Sequence, residues 1–233
     1  MKVKKRIVKK KLKEPDELRT FATDVYLFLN QHLKKLLLSG GVLLLIILMV
    51  VFYRIWQERK EDEANQKYHV ALDSYQTASL SYGEENPEDY KKPLSLFDDL
   101  VRSYPGTTAG RYSLLYKGTI HLRMGDYDQA ISAYQNFLKK AKKDKIYRML
   151  ALEGIGYAYE GKKDYEKAVN AYSEIVKSGE TPLWSTAHLH LARCYEKMGK
   201  KQESIESYKA FLGALPKSQA ANLALKKVSM AGQ

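Results

Sequence analysis

Polarity along the chain falls into three zones. The middle one is the most uniform: from Leu36 to Tyr53 eighteen residues pass without a charge, and Val42 to Phe52 are apolar without a break. Extended by Ile55 and Trp56, this stretch makes a helix of ~20 residues, or ~30 Å, which matches the hydrocarbon thickness of a bilayer. A helix packed in a soluble domain keeps a polar face, whereas this one is apolar all round, so the pattern predicts a transmembrane helix over residues 36–56. Before it, Leu18, Phe21, Ala22, Val25, Leu29 and Leu33 recur at helical spacing, with Pro15 and Asp16 placed to start a helix. That spacing predicts an amphipathic helix from Asp16 to Lys35. It would lie on the inner leaflet before the chain turns into the bilayer, or dock on a partner's cytoplasmic face. After Trp56, apolar positions recur at helical intervals between short polar turns. The 177 residues there suffice for one packed domain, with few β-branched runs and only six prolines in the whole chain, so an all-helical domain is expected over 57–233.

Charge orients these zones. The first 35 residues hold eleven Lys and Arg, opposed only by Glu14, Asp16, Glu17 and Asp24, so they carry +7 of the chain's net +12. Just after the span, Arg54, Arg59, Lys60 and Lys67 are interleaved with Glu58, Glu61, Asp62 and Glu63. The excess of Lys and Arg before the span predicts a cytoplasmic N-terminus, with Tyr53 and Trp56 at the far interface and the C-terminal domain outside. A cleaved signal peptide is disfavoured: the basic region is too long, the apolar run is too long, and bulky Phe52 to Trp56 stand where a small-residue cleavage site belongs. The basic arm over residues 1–35 brings no fold-sized segment with it. It therefore reads as a topology signal attracted to anionic headgroups rather than as a nucleic-acid arm. Beyond Trp56 the balance is nearly even, 27 basic against 23 acidic residues, and implies no strongly charged partner. Cys194 is the only cysteine, so an internal disulfide is excluded, and its apolar neighbours from Leu189 to Tyr195 predict burial.

The C-terminal zone repeats itself. Segment 111–143 contains Leu114, Gly118, Tyr127, Ala130, Tyr134 and Phe137. Segment 149–180 answers with Leu152, Gly156, Tyr165, Ala168, Tyr172 and Ile175, and segment 185–217 with Ala192, Ser204, Tyr208, Phe211 and Pro216. Tyr134, Tyr172 and Tyr208 stand 38 and 36 residues apart, and Gly118, Gly156 and Ala192 keep the same offsets. Most of the eighteen tyrosines are thereby explained as packing positions. A degenerate unit, 64–106, precedes these: Phe97, Leu100 and Pro105 reproduce the spacing of Tyr208, Phe211 and Pro216, and Ala64, Tyr68, Ala71, Tyr75 and Ala78 share one helical face. Gly125 and Gly199 are placed to end first helices in left-handed caps, with Gly161 as a displaced counterpart. A terminal helix over 218–231 would cap the stack with Ala221, Leu225 and Val228 inward and Lys226 and Lys227 outward.

These units resemble the tetratricopeptide repeat, a helix–turn–helix of about 34 residues with small and aromatic residues at fixed positions. The resemblance implies an α-solenoid of about four helix pairs plus the capping helix, and a protein-binding groove lined by first helices. By the family's register that groove holds Tyr112, Leu115, Thr119 and Arg123, then Leu150, Glu153, Tyr157 and Glu160, then Thr186, Leu189, Arg193 and Glu196. The Lys and Asn with which some family members clamp a C-terminal carboxylate are replaced here by Leu115, Glu153 and Leu189 and by Thr119, Tyr157 and Arg193, so that clamp is not expected. The chain departs from the pattern at Ser204, where Ala is usual, and at Lys201, which replaces the tyrosine seen at Tyr127 and Tyr165.

Catalytic chemistry finds no foothold. His188 and His190 are two residues apart on a helix and diverge, and no His, Cys and carboxylate set has metal-ligand spacing. Gly154-Ile155-Gly156 lies inside a helix rather than after a strand, so it is no phosphate loop. The sequence therefore predicts a non-enzymatic protein-interaction scaffold with no cofactor, metal, nucleic acid or small-molecule substrate.

The layout of a basic arm with Asp16-Glu17-Leu18, one span and a small repeat domain also resembles the ancillary subunit of the bacterial SecYEG translocon. That resemblance implies a single-pass inner-membrane protein with a periplasmic domain. Its partners would be the translocon channel, a periplasmic chaperone and emerging client segments. Phe97 to Pro105 looks, in addition, like repeats of periplasmic envelope-assembly and cell-division coordinators, which makes such a scaffold the alternative. A cytosol-facing organelle import receptor is the reading that the opposite topology would favour.

Overall fold

The computed structural model describes residues 17–80, 86–179 and 183–231. The basic run Lys2 to Lys13 with Pro15 and Asp16, and the loop residues Gly83 to Glu85, lie outside the described residues. The chain divides into two compact units, Met1–Gln57 and Glu58–Gln233.

The first unit is occupied by the first part of α1 (Glu17–Ser79), a single helix of 63 residues whose remainder, 58–79, belongs to the second unit. Here the expected arrangement is corrected. The amphipathic segment, the apolar segment and the first repeat helix are not separated by a turn. No proline occurs between Pro15 and Pro87, and Gly40 and Gly41, at roughly 1 kcal/mol each relative to Ala, are outweighed by the long Leu-rich runs around them. Val42 to Phe52 are exposed on every face, and α1 is long and apolar enough to cross a membrane by length and composition.

The second unit is a stack of helix pairs. After α1 and a short 3-10 turn at Pro87–Tyr90 come α2 (Lys91–Ser103), α3 (Thr108–Arg123), α4 (Tyr127–Lys140), α5 (Lys145–Gly161), α6 (Tyr165–Lys177), α7 (Trp184–Lys197), α8 (Lys201–Ala214) and α9 (Gln219–Ala231). From α2 onward each helix packs on the next, and α3 also reaches α5. The fold is all-helical, a long apolar N-terminal helix followed by stacked tetratricopeptide-like pairs. Short helices of this kind gain most of their stability from a buried apolar face rather than from propensity. That face is visible at each interface. Ala64, Ala71, Phe97, Leu100 and Ile120 form one cluster, Leu114, Ala130, Tyr134, Phe137 and Ala151 a second, and Tyr172, Ile175, Ala187, Leu191 and Cys194 a third.

Small residues set how closely the helices approach. A Cβ on Gly118 would stand 2.6 Å from the Tyr134 ring, and one on Gly156 would stand 2.4 Å from the Tyr172 ring. Gly154 serves the neighbouring contact, since its Cβ would lie 2.4 Å from the same Tyr134. Tyr134 therefore sits between a glycine of its own pair and one of the next. Left-handed backbone occurs at Gly125 (φ 79°) and Gly199 (φ 73°), at the ends of first helices. The intermediate counterpart is Lys163 (φ 60°), not Gly161, which instead makes room for the Tyr127 ring.

The terminal helix also differs from expectation. The inward face of α9 is Ala221, Ala224 and Val228, while Leu225 is 53% exposed. Ala224 lies three residues from Ala221 and four from Val228, so the inward stripe rotates away from Leu225.

Candidate protein-binding groove

The first helices α3, α5 and α7 bring one group of side chains together. A cavity of about 330 Å³ opens between α3 and α5, where Leu115 and Thr119 face Leu150, Glu153 and Tyr157. Its floor is the Tyr134 ring, which reaches the cavity because Gly154 has no side chain to block it; the Tyr134 hydroxyl meets Thr119 Oγ1 at 3.1 Å. Tyr147, 43% exposed, closes one side and packs on Tyr112 with ring centroids 4.5 Å apart. Tyr147, Leu150, Gly154 and Tyr157 follow one another by three or four residues, so a single helical stripe of α5 faces the cavity. Glu153 is the one charged residue in the lining.

Toward α7 the groove becomes polar. The Arg193 guanidinium lies 2.9 Å from His190 Nδ1, and a guanidinium can only donate, so Nδ1 is the acceptor and the imidazole proton resides on Nε2. Nε2 meets the Tyr157 hydroxyl at 2.9 Å and stands 3.6 Å from Glu153. Arg193 also donates to both Glu160 oxygens at 3.2 Å, and the Tyr172 hydroxyl donates to Glu160 at 2.6 Å. Burial, reinforced by the Glu153 charge, pushes the Tyr157 phenol up to about 12, and burial followed by Glu160 drives Tyr172 upward. Both therefore remain neutral hydrogen-bonding groups. The network fixes the orientation of Tyr157 and leaves it 37% exposed.

The remaining residues expected in the groove lie elsewhere on the inner face. Arg123 donates to the Tyr90 hydroxyl at 3.2 Å, beside the aromatic cluster of Tyr68, Tyr75 and Tyr116. Leu189 packs against the cluster of Ala192, Tyr208 and Ala224. Glu196 pairs with Lys227 of α9 and accepts from Tyr208 at 3.1 Å, and the Lys227 contact holds its carboxyl below the ordinary range. Thr186 is half-buried and donates to the Leu183 carbonyl at 3.0 Å. His190, Tyr147 and Tyr134 were not among the residues chosen from sequence. The two tyrosines had a signal in the helical spacing of α5 and in the repeat, whereas the role of His190 depends on α5 and α7 lying side by side. Among the described residues no group of three or more His, Cys, Asp or Glu is arranged to hold a metal ion.

The tetratricopeptide repeat family model matches residues 115–181 and 153–219. Lipopolysaccharide assembly protein B of Escherichia coli (strain K12) is 25% identical over 150 residues, which is 64% of this chain and 36% of that protein, and its counterpart in Escherichia coli O157:H7 matches equally. The chain thus spans about a third of the length of the curated relatives it matches. Among solved structures, a tetratricopeptide repeat protein from Parabacteroides merdae ATCC 43184 aligns with a TM-score of 0.57 at 20% identity, over 71% of this chain and 60% of that one. The MamA RS-1 double mutant aligns at 0.55 and 15% identity, over 73% and 95%. At these identities the structural likeness speaks for the fold alone.

Proposed function

We propose that this chain is a non-enzymatic, membrane-anchored scaffold of bacterial envelope assembly, with its repeat unit outside the cytoplasm. The observation that carries the reading is the distant relationship of this chain to lipopolysaccharide assembly protein B, in a chain whose α1 is apolar enough to span a bilayer. In this reading α1 anchors the protein with the N-terminus inside, as the Lys and Arg excess before the span favours. The groove between α3, α5 and α7 receives a segment of a partner protein. Leu115, Leu150 and Tyr147 supply apolar contact, Tyr157 and Arg193 are the hot-spot types, and Glu153 provides an acidic contact. Thr119, Glu160 and Leu189 frame the same surface, and Tyr112, Arg123 and Glu196 mark its edges.

The layout of arm, span and small repeat domain supports a second reading, an accessory of the export translocon that engages the channel, a periplasmic chaperone or emerging clients. One experiment separates the two. A photocrosslinking amino acid at Leu150 of the full chain, activated in intact cells, should give adducts with envelope-assembly proteins. Adducts confined to the translocon channel and a chaperone would transfer the protein to the second reading. Protease added to spheroplasts should digest the repeat unit and spare the arm. Protection of the repeat unit would overturn the topology and favour a cytosol-facing receptor.

A further inference from the structure

Some lysines of the repeat unit are held by acidic neighbours. Lys67, Lys91, Lys117, Lys162, Lys167, Lys177 and Lys227 each sit within reach of a carboxylate. The turn between α4 and α5 gathers the densest run of lysines outside such pairs. Over seven residues it presents Lys139, Lys140, Lys142, Lys143 and Lys145, all exposed, and none of the five meets a carboxylate among the described residues. Asp144 is the one acid among them, half-buried beside Tyr112, whose phenol is raised by burial and then by the Asp144 charge. Immediately after these lysines comes Ile146, 57% exposed in the first turn of α5. Side chains in a helix tilt toward its N-terminus, so Ile146 leans toward the lysine turn.

We propose that this turn is a docking surface for anionic phospholipid. Unpaired lysines flanking an exposed aliphatic residue have the composition of a membrane-interface element. The ammonium groups meet lipid phosphates while the apolar side chain enters the boundary between headgroups and acyl chains. A nucleic acid would use the lysines but leave Ile146 in water, which favours lipid over that polyanion. The patch is local: beyond Trp56 the chain carries 27 basic against 23 acidic residues, so overall charge does not account for it. The proposed anchor enters only by supplying lipid at high local concentration, and the docking surface stands whether or not α1 spans the bilayer.

The test uses the full chain in vesicles and a single fluorescent probe. Cys194 is fully buried and burial pushes its thiol up to about 12, so an Ile146→Cys variant can be labelled at the new cysteine alone with a polarity-sensitive dye. In vesicles of phosphatidylcholine with about a third phosphatidylglycerol, emission should brighten and shift to the blue relative to phosphatidylcholine alone. Adding Lys142→Glu, Lys143→Glu and Lys145→Glu should abolish that response, with helical circular dichroism unchanged because all three are exposed. Equal emission in both lipids, or brightening that survives the charge reversal, would overturn the proposal. So would a response to single-stranded oligonucleotide equal to the response to anionic vesicles. Alkaline carbonate extraction of the same samples reports separately on the anchor, so its failure is distinguishable from failure of the turn.

Discussion

Tyr134 shows how much of this fold turns on single residues. Its ring lies against Gly118 and Gly154, its hydroxyl meets Thr119, and burial pushes its phenol up to about 12. The spacing of Gly118, Gly156 and Ala192 was readable in the sequence because it recurs. Gly154 does not recur in the other repeats, since its contact belongs to one interface. Gly110 left no signal at all: a Cβ there would lie 2.0 Å from the Tyr104 carbonyl oxygen, a backbone atom that cannot swing away. Gly110→Ala should therefore cost about 3 kcal/mol in urea unfolding, the upper end for overpacking. Gly213, in α8 with nothing within 4 Å of its would-be Cβ, provides the contrast. Gly213→Ala should gain about 0.5–1 kcal/mol from helix propensity. Equal effects at the two sites would mean that close approach at Gly110 does not limit packing.

At the scale of elements, the repeat is legible because the same constraint is imposed at successive interfaces, and each copy supports the others. The boundaries were less so. The sequence suggested three helices between residues 16 and 78, yet α1 runs unbroken from Glu17 to Ser79, because a change in polarity does not by itself stop a helix. The caps make the same point: position 163 follows Gly125 by 38 residues and precedes Gly199 by 36, and the backbone is left-handed there although the residue is Lys. A non-glycine residue in that region costs roughly 1–2 kcal/mol, and glycine gives back part of this in chain entropy. Lys163→Gly should accordingly stabilise the protein by about 1 kcal/mol in thermal or chemical unfolding, without altering helix content. Destabilisation would show that the Lys163 side chain contributes more than its backbone strain removes.

In the whole molecule an apolar helix precedes a repeat stack that carries a groove. The groove was partly legible in the sequence. The family's register named Leu115, Thr119, Leu150, Glu153 and Tyr157, which do share one cavity. It could not foresee that Arg193 and Glu160 would pair directly and be held further by His190 and Tyr172, or that Arg123 and Glu196 would be engaged at opposite ends of the stack. Register specifies which side of a helix faces inward, while hydrogen bonding between helices decides which of those side chains remain available to a partner. The central claim, that the inner face of α3, α5 and α7 holds a protein segment, is tested most directly by position. The same photocrosslinking residue is placed in turn at Leu150, in the groove, and at Lys209, exposed on α8, and adducts are compared in intact membranes. The account predicts discrete protein adducts from position 150 that vanish when Tyr157 and Arg193 are replaced by Ala, and none of the same adducts from position 209. Identical adducts from both positions, or none from position 150, would contradict it.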